Sequence, residues 1–284
     1  MIHIGMHTDN WRTLSGSIAD AVASAKANRL KFIEFGVVDG QDFVQGLGYA
    51  PSVSLHSNPI RLKRYLDANG LNISQIDAGF PITGPLGASH GVRYVQKAIQ
   101  FAADIGCPRI DTTDGATKPQ DYADEEILAI TRNNYRQILE WADDYAITIT
   151  VEPHGPFTND PDTLARILDF SDRLRVNFDT GNTFIAGHDP VAFLRRFIDR
   201  VDHVHCKDVT RELMEAVRGG ETGIPMSESA VGDGVNADNI AGCIEALNAI
   251  KWEGVFSIEC LGTPTCIKRS VDWLRARIGK TCKS

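Results

Sequence analysis

The segment Ile147-Thr148-Ile149-Thr150-Val151-Glu152-Pro153-His154-Gly155 decides how the chain is read. Its first five residues are all β-branched, and none is charged. A strand with one wet face alternates apolar and polar residues. A strand covered on both faces reads as a near-continuous apolar run, as parallel strands under helices do. Pro153 and Gly155 then stop the run. A long helical pattern across Asp124–Tyr145 precedes it, and another across Asp160–Phe170 follows. Glu152 and His154 therefore sit where a buried strand leaves the sheet.

The same alternation extends outward to both ends. Strands are expected at Ile2–Met6, Phe32–Gly36, Ile73–Phe80, Arg109–Thr112, Ile147–Glu152, Arg175–Phe178, Val201–Lys207 and Val255–Glu259. Helices are expected at Ser17–Ala27, Pro59–Ala68, Gly91–Ile105, Asp124–Tyr145, Asp160–Phe170, Pro190–Phe197, Ala237–Leu247 and Thr263–Ile278. Eight strand-then-helix units in about 250 residues fill a closed barrel, whereas open doubly wound sheets use fewer strands. The expectation is an α/β chain forming a single (β/α)8 TIM barrel. One domain is expected over 1–284, since no linker-like tract interrupts it. Two irregular stretches, 37–58 and 209–235, leave the C-terminal ends of the second and seventh strands, the face that carries active sites in such barrels. Glycines near Gly219–Gly223 permit a mobile lid there.

Composition narrows the function classes. The chain has 284 residues, 43% hydrophobic and 23% charged, which excludes a disordered polymer. Its net charge of −8 opposes nucleic acid or an anionic membrane as partner. No apolar run approaches the roughly 18 residues of a membrane span, and the N-terminus lacks a signal-peptide pattern. Six cysteines contain no C-x-x-C pair. A cytoplasmic protein with reduced thiols is expected. No G-x-G-x-x-G follows the first strand and no P-loop motif occurs, so nothing points to a nucleotide.

Four strand ends carry metal-type side chains. These are Glu152 in VEPHG, Asp179 in NFDTGN, His205 in HVHCKD and Glu259 in SIEC. Glu152 and Asp179 are 27 residues apart, Asp179 and His205 26, and His205 and Glu259 54 because of the second irregular stretch. Each interval returns the chain to the same rim, one strand over. Three carboxylates brought together would repel one another and raise their pKa values, and a divalent cation removes that cost. An oxygen-rich set with one imidazole suits one Mn²⁺, with Mg²⁺ or Co²⁺ as alternatives, better than a closed structural zinc. Cys206 and Cys260 flank ligands but are expected to point away from the rim into packing.

These four motifs resemble the sugar phosphate isomerase/epimerase superfamily, the barrels similar to xylose isomerase. The likeness is strongest from Ile147 to Ile278. It implies that Glu152, Asp179, His205 and Glu259 hold the metal, with His203 in support. Ketose 3-epimerases of that superfamily would give Glu152 and Glu259 base roles on opposite faces of a sugar. Such enzymes usually have a His where this chain has Asn182. The Glu152-Pro153-His154 motif resembles instead the catalytic subunits of C-glycoside deglycosidases and related 3-oxo-glycoside lyases. There the resemblance implies a His, here His154, that removes a proton beside a ketone before β-elimination. It also implies a sugar or keto-sugar glycoside as substrate, and either a small β-rich partner subunit or a homo-oligomer.

Substrate contacts are expected from His7, Asp111, Asn182, Lys207 and Arg218. Glu34 and Asp77 occupy comparable strand ends, and Trp11 is placed to stack on a sugar. Each residue has a structural alternative: Lys207 a salt bridge to Asp208 or Asp179, His154 a loop hydrogen bond, Arg218 a solvated position. At the level of function, β-elimination of a 3-keto glycoside stands first. A ketose 3-epimerase or aldose–ketose isomerase shares its first proton transfer. A multi-zinc endonuclease-like barrel and a non-catalytic subunit are more distant alternatives.

Overall fold

The computed structural model describes residues 1–14, 16–40, 52–115, 117–220, 225, 227–261 and 263–281. Among these, nine strands form one sheet: β1 Ile2–His7, β2 Phe32–Val38, β3 Val53–Ser54, β4 Asn72–Pro81, β5 Arg109–Thr113, β6 Thr148–Val151, β7 Leu174–Asp179, β8 Val201–Cys206 and β9 Gly254–Ile258. All pairings are parallel. The order β1-β9-β8-β7-β6-β5-β4-β2 closes on itself through β1 and β2. The molecule is a single (β/α)8 TIM barrel, as the alternation required. The two-residue β3 adds to β2 outside the ring.

Helices form where the sequence supplies both an apolar stripe and a stop. Ser17 caps Ile18–Ala27 through a capping box with Asp20. Asn58, Asp160 and Asp189 cap helices whose first residue is proline, which needs no N–H partner there. Val92–Ile105 buries Val95, Ala98, Ile99 and Ala102 along one face and ends at Gly106, whose positive φ suits glycine. These stripes pack on the outward side chains of the strands, so the main core lies between sheet and helices. Cys206 and Cys260 belong to it. Cys107, Cys206, Cys243, Cys260 and Cys266 are free thiols.

The expected boundaries shift at functional ends. Residue 152 lies outside β6, because Pro153 has no N–H to continue the ladder. The first irregular stretch begins inside β2 and includes β3; residues 41–51 lie outside the described residues. The second contains a helix, Arg211–Val217, capped by Thr210. Asp208 ties its far end down by accepting from the N–H groups of Gly232, Gly234 and Asn236. Residues 221–224 of the glycine-rich part lie outside the described residues, while Gly219 donates to Ile185 O at 2.7 Å. No helix among the described residues is long and apolar enough to cross a membrane.

Candidate metal centre

Parallel pairing brings the four strand ends to one level. Asp179 pairs with His205 across β7 and β8, and His205 with Ser257 across β8 and β9. Glu152 and Glu259 stand just past their strands, yet their N–H groups still bond Thr112 O and Cys206 O. The ladder thus runs one residue beyond each strand and fixes where those carboxylates leave the backbone.

The quartet converges. One ligand atom from each of Glu152, Asp179, His205 and Glu259 lies within 4.8 Å of the others. His205 Nδ1 is 3.0 Å from Glu152 Oε1, 3.6 Å from Glu259 Oε2 and 3.9 Å from Asp179 Oδ2. All four residues are buried. Asp179 divides its oxygens: Oδ1 accepts from the N–H groups of Gly181 and Asn182, capping the helix Thr180–Ile185, while Oδ2 accepts no hydrogen bond. Glu259 Oε2 also accepts none. Two such oxygens beside an imidazole nitrogen in a buried cluster are donors suited to a divalent cation.

The electrostatics show the strain of holding these charges together. Burial, with Asp111 and Asp179 nearby, raises Glu152 well above the carboxylate range although His205 opposes this. Burial lifts Asp179 to about 6 against the pull of Lys207. Burial would also raise Glu259, but Lys207 and His205 hold it well below normal. Burial disfavours a charged His205, yet Glu34 and Glu152 hold its pKa well above normal. Protein cations thus offset part of the carboxylate charge.

The expected substrate residues divide into two groups. Lys207 is buried, its Nζ 2.6 Å from Asn182 Oδ1 and 3.3 Å from both Asp179 Oδ2 and Glu259 Oε2. Asn182 Nδ2 donates to Glu152 Oε1 at 3.2 Å. His154 is in a loop, so strand alternation does not place it, but its imidazole feels Lys207, Glu259 and His205. Its backbone is pinned by Thr158 and Asn159, whereas Nδ1 has no partner. Burial and then Lys207 push its pKa down to about 4. His7 accepts from Asp9 N–H through Nδ1 and presents an unpartnered Nε2, 3.8 Å from Asp77 Oδ2.

The other group is structurally engaged. Asp111 accepts from Thr150 Oγ1 and Asn177 Nδ2 inside the barrel. Arg218 lies 3.9 Å over the Phe184 ring and donates to the carbonyl of Phe184, so it clasps the helix Thr180–Ile185. Trp11 is buried with the core. A cavity of about 820 Å³, lined by Asp9, Val37, Asp77, Phe80, Arg93 and Tyr94 among others, shares Asp77 with the site.

The closed barrel of parallel strands agrees with the family to which residues 22–277 match, the xylose isomerase-like TIM barrels. The chain belongs to that family. A curated relative, an inosose dehydratase of Clostridium beijerinckii, is 27% identical over 100 residues, which cover 34% of each chain. The chain thus spans about a third of that relative's length. Among solved structures, a D-tagatose 3-epimerase-like protein superposes with a TM-score of 0.76 at 20% identity, covering 99% of this chain and 98% of the other. The IOLI protein, solved with a zinc atom, superposes at 0.75 and 13% identity, covering 98% and 99%. At these identities the superpositions speak for the xylose isomerase-like fold and not for a reaction.

Some site residues escaped the sequence reading. Asp114 accepts from the N–H groups of Gly155, Phe157 and Thr158 and from Thr158 Oγ1, thereby building the loop that carries His154. Gln75, Thr150 and Asn177 form a polar layer inside the barrel. Their only signal was a polar residue two positions before Asp77, Glu152 and Asp179.

Proposed function

We propose that the chain is a divalent-metal-dependent lyase for a sugar, keto-sugar or related polyhydroxy ketone, with Glu152, Asp179, His205 and Glu259 as the ligands. The observation that carries this reading is that Asp179 Oδ2 and Glu259 Oε2 accept no hydrogen bond and stand 3.9 and 3.6 Å from His205 Nδ1, with Lys207 Nζ ion-paired to both at 3.3 Å. A divalent ion held there supplies Lewis acidity toward a substrate carbonyl. Mn²⁺ is the ion expected to serve best, to be compared with Mg²⁺, Co²⁺ and Zn²⁺.

His154, whose Nδ1 has no partner, takes the proton on the carbon next to the carbonyl. The C–H electron pair moves toward the carbonyl and returns as a C=C bond, which expels the β substituent with its electron pair, and the proton taken by His154 passes to that group as it leaves. Lys207 offsets negative charge beside Asp179 and Glu259, and Asn182 holds Glu152 in place. The likeness to an inosose dehydratase supports elimination. The leaving group is then a hydroxyl or, on a 3-keto glycoside, the substituent at C1.

Incubation with an inosose, a 3-keto glycoside and free ketoses tests the reading. Loss of water or release of the C1 substituent supports a lyase. Interconversion of ketoses without elimination establishes an epimerase or isomerase in its place.

A further inference from the structure

Beneath the four ligands runs a chain of buried polar side chains around the barrel interior. Glu34 on β2 accepts at Oε1 from Gln75 Nε2 on β4, 2.9 Å away. Gln75 Oε1 lies 3.0 Å from Thr150 Oγ1 on β6, whose single proton goes to Asp111 Oδ1 on β5 at 2.7 Å. Asp111 Oδ2 accepts from Asn177 Nδ2 on β7 at 2.9 Å, and Asn177 Oδ1 stands 3.0 Å from His203 Nδ1 on β8. His203 Nε2 and Glu34 Oε2 lie 3.7 Å apart with no hydrogen bond between them, so the chain stops there. One member reaches up into the ligand layer: Glu34 Oε1 is 2.9 Å from His205 Nε2. The opposite nitrogen, Nδ1, faces the three carboxylates.

An imidazole with a carboxylate on one nitrogen keeps its proton there and directs the other lone pair outward. Outer partners of this kind orient a metal-binding histidine and raise its basicity. We propose that Glu34 is a positioning residue, which holds His205 in the Nε2–H tautomer and turns Nδ1 toward the ion. Gln75 holds Glu34 in turn, and Thr150 lies beside Gln75 in the same chain. The inference rests on the quartet reading. His7, Glu34 and His205 are also close enough to hold an ion of their own. Two facts oppose that use. Glu34 Oε1 is already within hydrogen-bond distance of both Gln75 Nε2 and His205 Nε2. An ion at Nε2 would also compete with the quartet for the same ring.

The test is a metal titration of the full-length protein, read by chelator competition and by the visible absorption of bound Co²⁺, for wild type, Glu34→Gln, Glu34→Met and Gln75→Met. Wild type binds one ion. Glu34→Gln retains an acceptor and loses about tenfold in affinity, and Glu34→Met retains none and loses about a hundredfold. The Co²⁺ spectrum changes in the same order. Gln75→Met, which leaves the carboxylate but frees it, shows a smaller loss and keeps the inference testable if a Glu34 variant does not fold. Folded variants with wild-type affinity and spectrum overturn the inference and leave the quartet standing. A second tight ion lost on changing His7 assigns Glu34 to a ligand role and overturns it too. Wild type that binds no ion overturns the quartet reading and this one together.

Discussion

Lys207 Nζ and Asn182 Oδ1 are 2.6 Å apart, both buried, at the edge of the ligand cluster. The same ammonium stands beside Asp179 and Glu259. Burial alone would depress its pKa, but Asp179, Glu259 and Glu152 hold it above normal, so it stays charged. Removing one partner from a buried charge cluster leaves the others uncompensated. Lys207→Met is expected to destabilise the metal-free protein by about 3–5 kcal/mol. Added Mn²⁺ should restore more stability to the variant than it adds to wild type, because it replaces the missing charge. Thermal melts with and without metal check this; an unchanged metal-free melt contradicts it.

His154 is assigned the proton transfer, not metal binding. His154→Ala should therefore keep its metal content and lose activity by about 10²- to 10⁴-fold, the usual contribution of a positioned base. Metal analysis and turnover on the same sample separate the two properties. Full activity in this variant removes the elimination mechanism as drawn.

Asp114 organises the loop from a distance. Its carboxylate accepts from three main-chain N–H groups and one hydroxyl between Gly155 and Thr158. An amide at this position turns one acceptor into a donor facing other donors. Asp114→Asn should cost about 1–3 kcal/mol of stability. It should also lower turnover while leaving metal affinity within about twofold, since no ligand is touched. A loss of metal as large as the loss of turnover contradicts that division.

The buried thiols should be inert. Burial raises Cys107 and Cys260 to about 12, and it raises Cys206 and Cys243 as well. A raised thiol pKa means less thiolate at a given pH. At pH 8 a group with a pKa of 12 is about one part in 10⁴ thiolate. Iodoacetamide at pH 8 should leave all four unmodified in the native protein and label them after denaturation. Mass spectrometry reads the outcome, and rapid native labelling of Cys206 or Cys260 contradicts their placement in the core.

The barrel was legible because strand burial on both faces leaves an unmistakable trace in runs such as Ile147–Val151. The convergence of Glu152, Asp179, His205 and Glu259 was legible because intervals of 27, 26 and 54 residues each return the chain to one rim. What the sequence hid depends on closure. Gln75, Thr150 and Asn177 look like stray polar residues in apolar strands until the sheet curls and brings them into contact across its interior. Thr180–Ile185, TGNTFI, was not among the expected helices, and Asp179 starts it by accepting from its first N–H groups through one oxygen. Arg211–Val217 did carry a local signal, Thr210 before Arg-Glu-Leu, which its irregular surroundings obscured. His154 was singled out through the Glu152-Pro153-His154 motif, and it stands in a loop because the strand stops before it.

The central claim is that Glu152, Asp179, His205 and Glu259 grip one cation. Metal content per chain tests it most directly, measured by elemental mass spectrometry on protein prepared without chelator and reconstituted with Mn²⁺, alongside the Asp179→Ala/His205→Ala double variant. The account predicts one ion per chain in wild type and none in the double variant. An empty wild-type protein, or an ion that remains after both changes, contradicts it.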